Sequence, residues 1–240
     1  MRFSPTPVRA LSRVSALAWL LLAGGLGAQI AWHAAAPDAA ARFRPLAEPP
    51  PLAALRVAAL GEQALTSRLL SLWLQAHDTQ PGISVPLHAL DYARVTRWLG
   101  RALELDPRSH YPLLAATRIY GAVADPERQR LMLEFVATRF AQSPETRWRW
   151  MAEAAILAKH RLRDLPLALR YARAIAQHAP TAPAWAREMS VVVLEDMGEL
   201  EAARLLVGGL LHDGRLRDPH EIHFLERKLE ELEEKAARAR

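Results

Sequence analysis

The chain has no cysteine. Structural disulfides, thiolate nucleophiles and cysteine zinc sites are therefore excluded. Aromatic residues are sparse, at 7%. Runs of Val, Ile, Thr and Tyr that would mark strands are almost missing. The nearest, Ser190-Val191-Val192-Val193-Leu194, sits inside a helical pattern. No Gly-x-Ser-x-Gly elbow and no phosphate-cradling glycine loop occurs. Gly24-Gly25-Leu26-Gly27 lies in an apolar run and Gly208-Gly209 in a helical one, where small residues serve close packing. No acidic residue precedes Asp38. With these parts missing, the expectation is a protein that is not an enzyme and that needs no cofactor or metal.

Alanine, leucine and arginine dominate, and all three favour helix. Hydrophobic residues make up 51% and charged residues 24% of the 240 positions, as in a folded chain. Three of the five net positive charges are accounted for by Arg2, Arg9 and Arg13. The rest of the chain is close to balanced, so the charge does not point to nucleic acid. Arg147-Trp148-Arg149-Trp150 mixes basic and aromatic residues. On a helix that alternation scatters them around the cylinder, so no nucleic-acid patch is expected.

Residues 1–13 read as a basic cytoplasmic tail and residues 14–36 as a transmembrane signal anchor. Residues 16–32 carry no charge and one amide, Gln29. With its flanks the apolar stretch reaches the roughly 20 residues that span a bilayer. Arginines before it and Trp19 and Trp32 near its ends fit a cytoplasmic N-terminus. A cleaved signal peptide is the alternative, because Ala34-Ala35-Ala36 resembles a cleavage site. Residues 37–54 hold five prolines and read as a semi-rigid linker.

Helical periodicity starts at Leu55. Leu55, Ala59, Leu65, Leu69, Leu72 and Trp73 recur at helical spacings and predict one apolar face. Asp91 is placed to cap a helix that stops at Pro107. From there a beat emerges: Pro107, Pro144 and Pro180 lie 37 and 36 residues apart. The spacing predicts hairpins of helices over 111–124 with 126–141, 145–162 with 165–178, and 183–197 with 199–212. Asp164 caps one of these helices, and Gly198 splits the last hairpin. Residues 219–236 form a final helix with a Leu225, Leu229, Leu232, Ala236 seam. That seam fits a capping helix, or a short coiled coil that would support a homo- or hetero-oligomer.

His220-Glu221-Ile222-His223 lies near His212, Asp213 and Asp218. A zinc-protease motif needs histidines four apart, and these are three apart. Ordinary surface or capping histidines are expected.

The stretch from Trp98 to Pro107 resembles the end of a tetratricopeptide repeat, a unit of about 34 residues. Leu165 through Pro180 resembles its second helix, with Ala168 and Pro180 twelve apart as the packing alanine and closing proline. Gly198-Glu199-Leu200-Glu201-Ala202-Ala203 resembles the interhelical turn followed by the same alanine. The resemblance covers about residues 91–215, and more loosely 55–240. The first helices lack the family's Leu-Gly pair. It implies an all-α fold: a right-handed solenoid of three to four degenerate repeats over residues 55–218, capped by residues 219–240. It also implies a non-enzymatic scaffold that binds a protein or peptide segment in a concave groove.

Aligning the repeats on Ala168 and Ala203 puts groove positions at Trp150, Glu153, Leu157, His160 and Arg161. In the next repeat they fall at Trp185, Glu188, Val192, Glu195 and Asp196. Trp and Glu recur 35 residues apart. Of these, Trp150, Glu153, His160, Arg161, Trp185, Glu188, Glu195 and Asp196 are the expected partner-binding residues, unless the tryptophans pack between repeats. The topology implies a bacterial inner-membrane protein with its repeat domain in the periplasm.

Overall fold

The computed structural model describes residues 16–35, 43–80, 82–212 and 218–238. The basic tail, the first two and last residues of the expected anchor, and residues 37–42 of the expected linker lie outside them. The chain divides into two units. The first holds helix α1 (Ala16–Ala35), along which Trp19, Leu20, Leu22, Leu26, Ile30 and Trp32 are all exposed. Among the described residues, no helix is long and apolar enough to cross a membrane.

The second unit is helical almost throughout, as expected of an all-α chain. Its helices are α2 (Leu52–Ala58), α3 (Gln63–Ala76), α4 (Tyr92–Leu105), α5 (Tyr111–Leu114), α6 (Pro126–Gln142) and α7 (Pro144–His160). They continue as α8 (Leu165–His178), α9 (Ala184–Arg187), α10 (Met189–Asp196), α11 (Leu200–His212) and α12 (Pro219–Arg238). The main helix pairs are α3 on α4, α6 on α7, α7 on α8, α10 on α8 and α11, and α11 on α12, while α2 packs on α4.

The caps follow the sequence. Asp91 accepts from the Arg94 amide, Asp125 from the Glu127 and Arg128 amides, and Asp164 from the Leu167 amide. Each satisfies amides that the first helical turn leaves open. Gly198, at φ 78°, reverses the chain between α10 and α11 in a region that L side chains rarely enter.

Three local departures have physical causes. The helix expected over 111–124 is α5 followed by a π turn (Ala115–Ile119) and a 3-10 turn (Tyr120–Ala122). There a Cβ on Gly121 would stand 2.7 Å from the Ala116 carbonyl oxygen, so only glycine allows the approach. The helix expected over 183–197 breaks at Glu188, which ends α9 and starts α10.

The third departure concerns residues 43–54, expected as linker. Leu46 is buried, and α4 holds the strand of chain around it. Arg94 donates to the Leu46 carbonyl at 2.6 Å, and Trp98 Nε1 to the Ala47 carbonyl at 2.8 Å. Arg97 grips both Glu48 oxygens at 2.7 Å. The prolines keep this strap extended, and its free carbonyls serve donors on α4. Helix α2 then starts at Leu52, inside the expected linker.

The predicted face of residues 55–73 also divides. Leu55 and Ala59 are buried, but Leu65, Leu69, Leu72 and Trp73 are exposed. Helix α3 instead presents Ser67, Ser71 and Leu74 to the core. Small serines let it approach α4, and the hydroxyls stay satisfied: Ser67 donates to the Ala102 carbonyl at 2.8 Å and Ser71 to the Ser67 carbonyl at 2.9 Å. Close approach with no orphaned polar group outweighs burial of the leucine side.

Side-chain bonds keep the beat of the prolines. Ser67 to Ala102, Tyr111 to Gln75, Arg118 to Glu153, Arg130 to Asp164 and Arg187 to Glu221 join residues 34 to 36 positions apart. Ala168 and Ala203, expected where paired helices come closest, are fully buried.

Candidate partner-binding groove

An apolar opening in the helical unit lies between α9–α10 and α12. Its volume is about 520 Å³. Trp185, Val192 and Phe224 form its walls and are 55%, 42% and 43% exposed. Val191 and Leu225 lie at its base. Helix α12 contributes Glu221, Phe224, Leu225 and Lys228, whose three- and four-residue spacings put them on one helical face.

An acid pair sits in the floor. Glu188 is buried, and its Oε1 has no hydrogen-bond partner. Burial pushes its carboxyl up to about 7, helped by the hydrogen bond and the charge of Glu221 and opposed by Arg187. Arg187 donates to Glu221 at 3.0 Å and to the Ala182 carbonyl at 3.0 Å. It thereby fixes the pair against the turn that starts α9. The break at Glu188 has a local cause in these contacts. Pro183 starts α9, and the side chain of Glu188 turns inward to the acid pair.

Glu195 holds Lys228, one of the residues that line the groove. Lys228 meets Glu195 at 2.6 Å, and Lys235 bonds it as well. Burial pushes the Glu195 carboxyl up, but the two ammonium groups outweigh this and hold it below its usual range. Lys228 also reaches Glu231 at 3.2 Å. The two pairs of Glu195 tie α10 to α12.

The eight expected binding residues do not gather in one place. Trp185 and Glu188 line the groove, and Glu195 is outside its lining but bonds Lys228, which belongs to it. Asp196 is exposed and pairs with Lys159 of α7. Trp150 is half-buried and donates to His110 Nδ1 at 3.1 Å. Glu153 pairs with Arg118 at 3.3 Å, and Arg161 donates to the Ala122 carbonyl at 3.0 Å. His160 is exposed. Trp150, Glu153 and Arg161 thus bond the segment before α7, Glu195 bonds α12, and Asp196 bonds α7. Trp185 touches Trp148, ring centroids 5.6 Å apart and nearly perpendicular, rather than Trp150.

The α12 side of the groove was not legible as a site. Its residues belong to a helix whose leucine seam signals capping, and Leu225 and Leu232 are indeed buried. The available signal was Glu221, Phe224 and Lys228 at helical spacing beside that seam.

The arrangement offers an apolar slot that can desolvate a guest side chain, with carboxylate oxygens at the bottom. No protein-family model matches this chain, and neither a curated protein nor a solved structure does.

Proposed function

We propose that this protein is a non-enzymatic interaction scaffold or assembly factor held at a bacterial inner membrane. Its helical unit is a solenoid of three to four tetratricopeptide-like repeats that binds a segment of a partner protein. Residues 14–36 serve as the anchor, the N-terminus is cytoplasmic and the repeats are periplasmic. The exposed apolar faces of α1, together with Arg2, Arg9 and Arg13 before it, support that placement. Neighbour-on-neighbour packing and bonds 34 to 36 residues apart support the repeat reading.

The observation that carries the binding reading is the open groove with Trp185 and Phe224 half out of its walls. Large apolar side chains left in a concave surface are the usual anchors of an interface. Tethering at the membrane raises the local concentration of a partner that shares it. The test is crosslinking from a photoreactive residue at Val192 in native membranes, with and without Trp185→Ala. One defined adduct that disappears in the variant, at unchanged melting, is expected. An adduct pattern indifferent to Trp185 overturns the groove as the site. A reporter active only in the cytoplasm, fused after Arg240, should be silent; strong activity reverses the orientation.

A second reading has its own support. Val57, Leu60, Leu65, Leu69 and Leu72 are exposed together on α2, α3 and the turn between them. Such a face favours an accessory subunit fixed in a membrane complex. Copurification at fixed stoichiometry in mild detergent, lost on Leu65→Asp with Leu69→Asp, distinguishes it. If the N-terminus is cleaved, an exported chaperone-like protein replaces the anchored form, and the mass of the mature chain decides.

A further inference from the structure

We infer that the α10–α12 groove selects a basic segment: an apolar stretch of the partner carrying a lysine or arginine whose cationic head sits on the Glu188–Glu221 pair. This rests on the binding role proposed above for the same groove and names the chemistry of its guest.

The argument is charge complementarity in a desolvated place. Two carboxylates face one guanidinium, that of Arg187, which already bonds Glu221 at 3.0 Å. With both acids ionised the floor carries one uncompensated negative charge. Glu188 lines the groove, and its Oε1 is buried with no donor. A buried acceptor without a donor is costly, and a cationic donor makes the strongest hydrogen bond it can receive.

The other charges around the slot are committed or peripheral. Lys228, which also lines it, is held by Glu195 and Glu231. Asp218 and His220 stand at the start of α12 and are exposed. No cation of this chain besides Arg187 is within bonding distance of the acid pair among the described residues.

The walls suit the rest of such a guest. A lysine or arginine lays its methylene stem along apolar surface while its head seeks an acceptor. Trp185 and Phe224 provide that surface, and an indole face also attracts a cation. An acidic guest would bring a third carboxylate to the floor. A purely apolar guest would bury the acid pair and leave its free oxygen unanswered.

The test uses the full chain in nanodiscs of phosphatidylcholine, so that the lipid itself does not attract basic peptides. Three fluorescein-labelled leucine–alanine peptides serve as probes, identical except for a central lysine, norleucine or glutamate. Anisotropy should show the lysine peptide binding about tenfold or more tighter than the other two. Glu188→Gln should remove most of that preference, chiefly by weakening binding of the lysine peptide. Trp185→Ala should weaken all three. Equal binding of lysine and norleucine peptides, or a lysine preference that survives Glu188→Gln, overturns the cation selection while leaving the groove as the site. Tightest binding of the glutamate peptide does the same. Binding indifferent to Trp185→Ala, or no binding by any probe, overturns the groove itself. Thermal melting of each variant keeps a folding defect from posing as lost affinity.

Discussion

The joint between α7 and α8 and the joint between α10 and α12 are built on opposite rules. In the first, Ala154, Ala155 and Ala158 meet Ala168 and Ala172, all at most 1% exposed. Small side chains bring the two helices close and leave no space for a guest. In the second, the facing residues are large and the helices stay apart. Phe224 and Trp185 stand partly in solvent, an acid pair holds the floor, and Glu195 of α10 pairs with Lys228 and Lys235 of α12. The open joint is not a loose one. Ala203, Val207, Leu225 and Leu232 are fully buried behind it, where α11 packs on α12. Both joints use neighbouring helices of one array. Residue size and polarity at the contact decide which becomes scaffold and which becomes surface.

The comparison breaks most sharply at Arg147, which locks the closed part. This buried guanidinium donates to the Arg139 carbonyl at 2.6 Å and to the Pro107 carbonyl at 3.3 Å. Those carbonyls lie near the C-terminal ends of α6 and α4, where a cation is favoured. Burial and the nearby Arg139 hold the guanidinium below its usual range, and the carbonyls satisfy its donors. Arg147→Ala leaves two acceptors without donors and should cost about 3 kcal/mol in chemical denaturation. A loss under about 1 kcal/mol would show that solvent replaces it.

Next comes Ala168→Leu, which forces extra volume into a fully buried contact. It should cost about 2 kcal/mol, and Ala203→Leu should behave alike. Val192→Leu in the open joint should leave stability unchanged, because the added methylene meets solvent. Equal losses at all three positions would erase the distinction between the joints.

The closed joint was legible because its chemistry is local. Ala168 twelve residues before Pro180, Asp164 before a helical run, and Gly198 at a turn each act through their own backbone neighbours. The open joint was legible by half. Trp185 and Glu188 emerged from the 35-residue recurrence, but the same recurrence selected Trp150, Glu153 and Arg161. Those bind the preceding segment, through His110, Arg118 and Ala122. Periodicity fixes which helical face a residue occupies, not which neighbour covers it. The serine side of α3 was hidden for a related reason. A hydroxyl that donates to a carbonyl is as acceptable in the core as a leucine, and no hydropathy pattern records that donation.

The acid pair sharpens the comparison through pH. Folding raises the Glu188 carboxyl from 4.5 to about 7, so the folded chain holds that proton more tightly than the unfolded one. This contribution is fully present below about pH 4.5 and lost as pH rises through about 7. Relative to Glu188→Gln, the unaltered chain should therefore lose up to about 3 kcal/mol between those limits. Parallel melting profiles of the two proteins against pH would place Glu188 in water and remove the groove's floor.

The smallest effect on stability is expected at the most conspicuous side chain. Trp185 is 55% exposed, and its one ring contact is edge-on with Trp148. Such a contact is worth about 0.5–1 kcal/mol, so Trp185→Ala should lower stability by less than about 1 kcal/mol. Trp150→Ala is the control. Trp150 is half-buried, donates to His110 at 3.1 Å and stacks beside it, so its removal costs a hydrogen bond as well as a ring contact. The two tryptophans occupy equivalent places in the sequence beat, and only one borders an open slot. If Trp150→Ala destabilises more than Trp185→Ala, and only the latter abolishes partner crosslinking, the two positions have parted roles as the geometry requires. If Trp185→Ala destabilises as much as Ala168→Leu, its ring is structural, and the open joint is a second closed one.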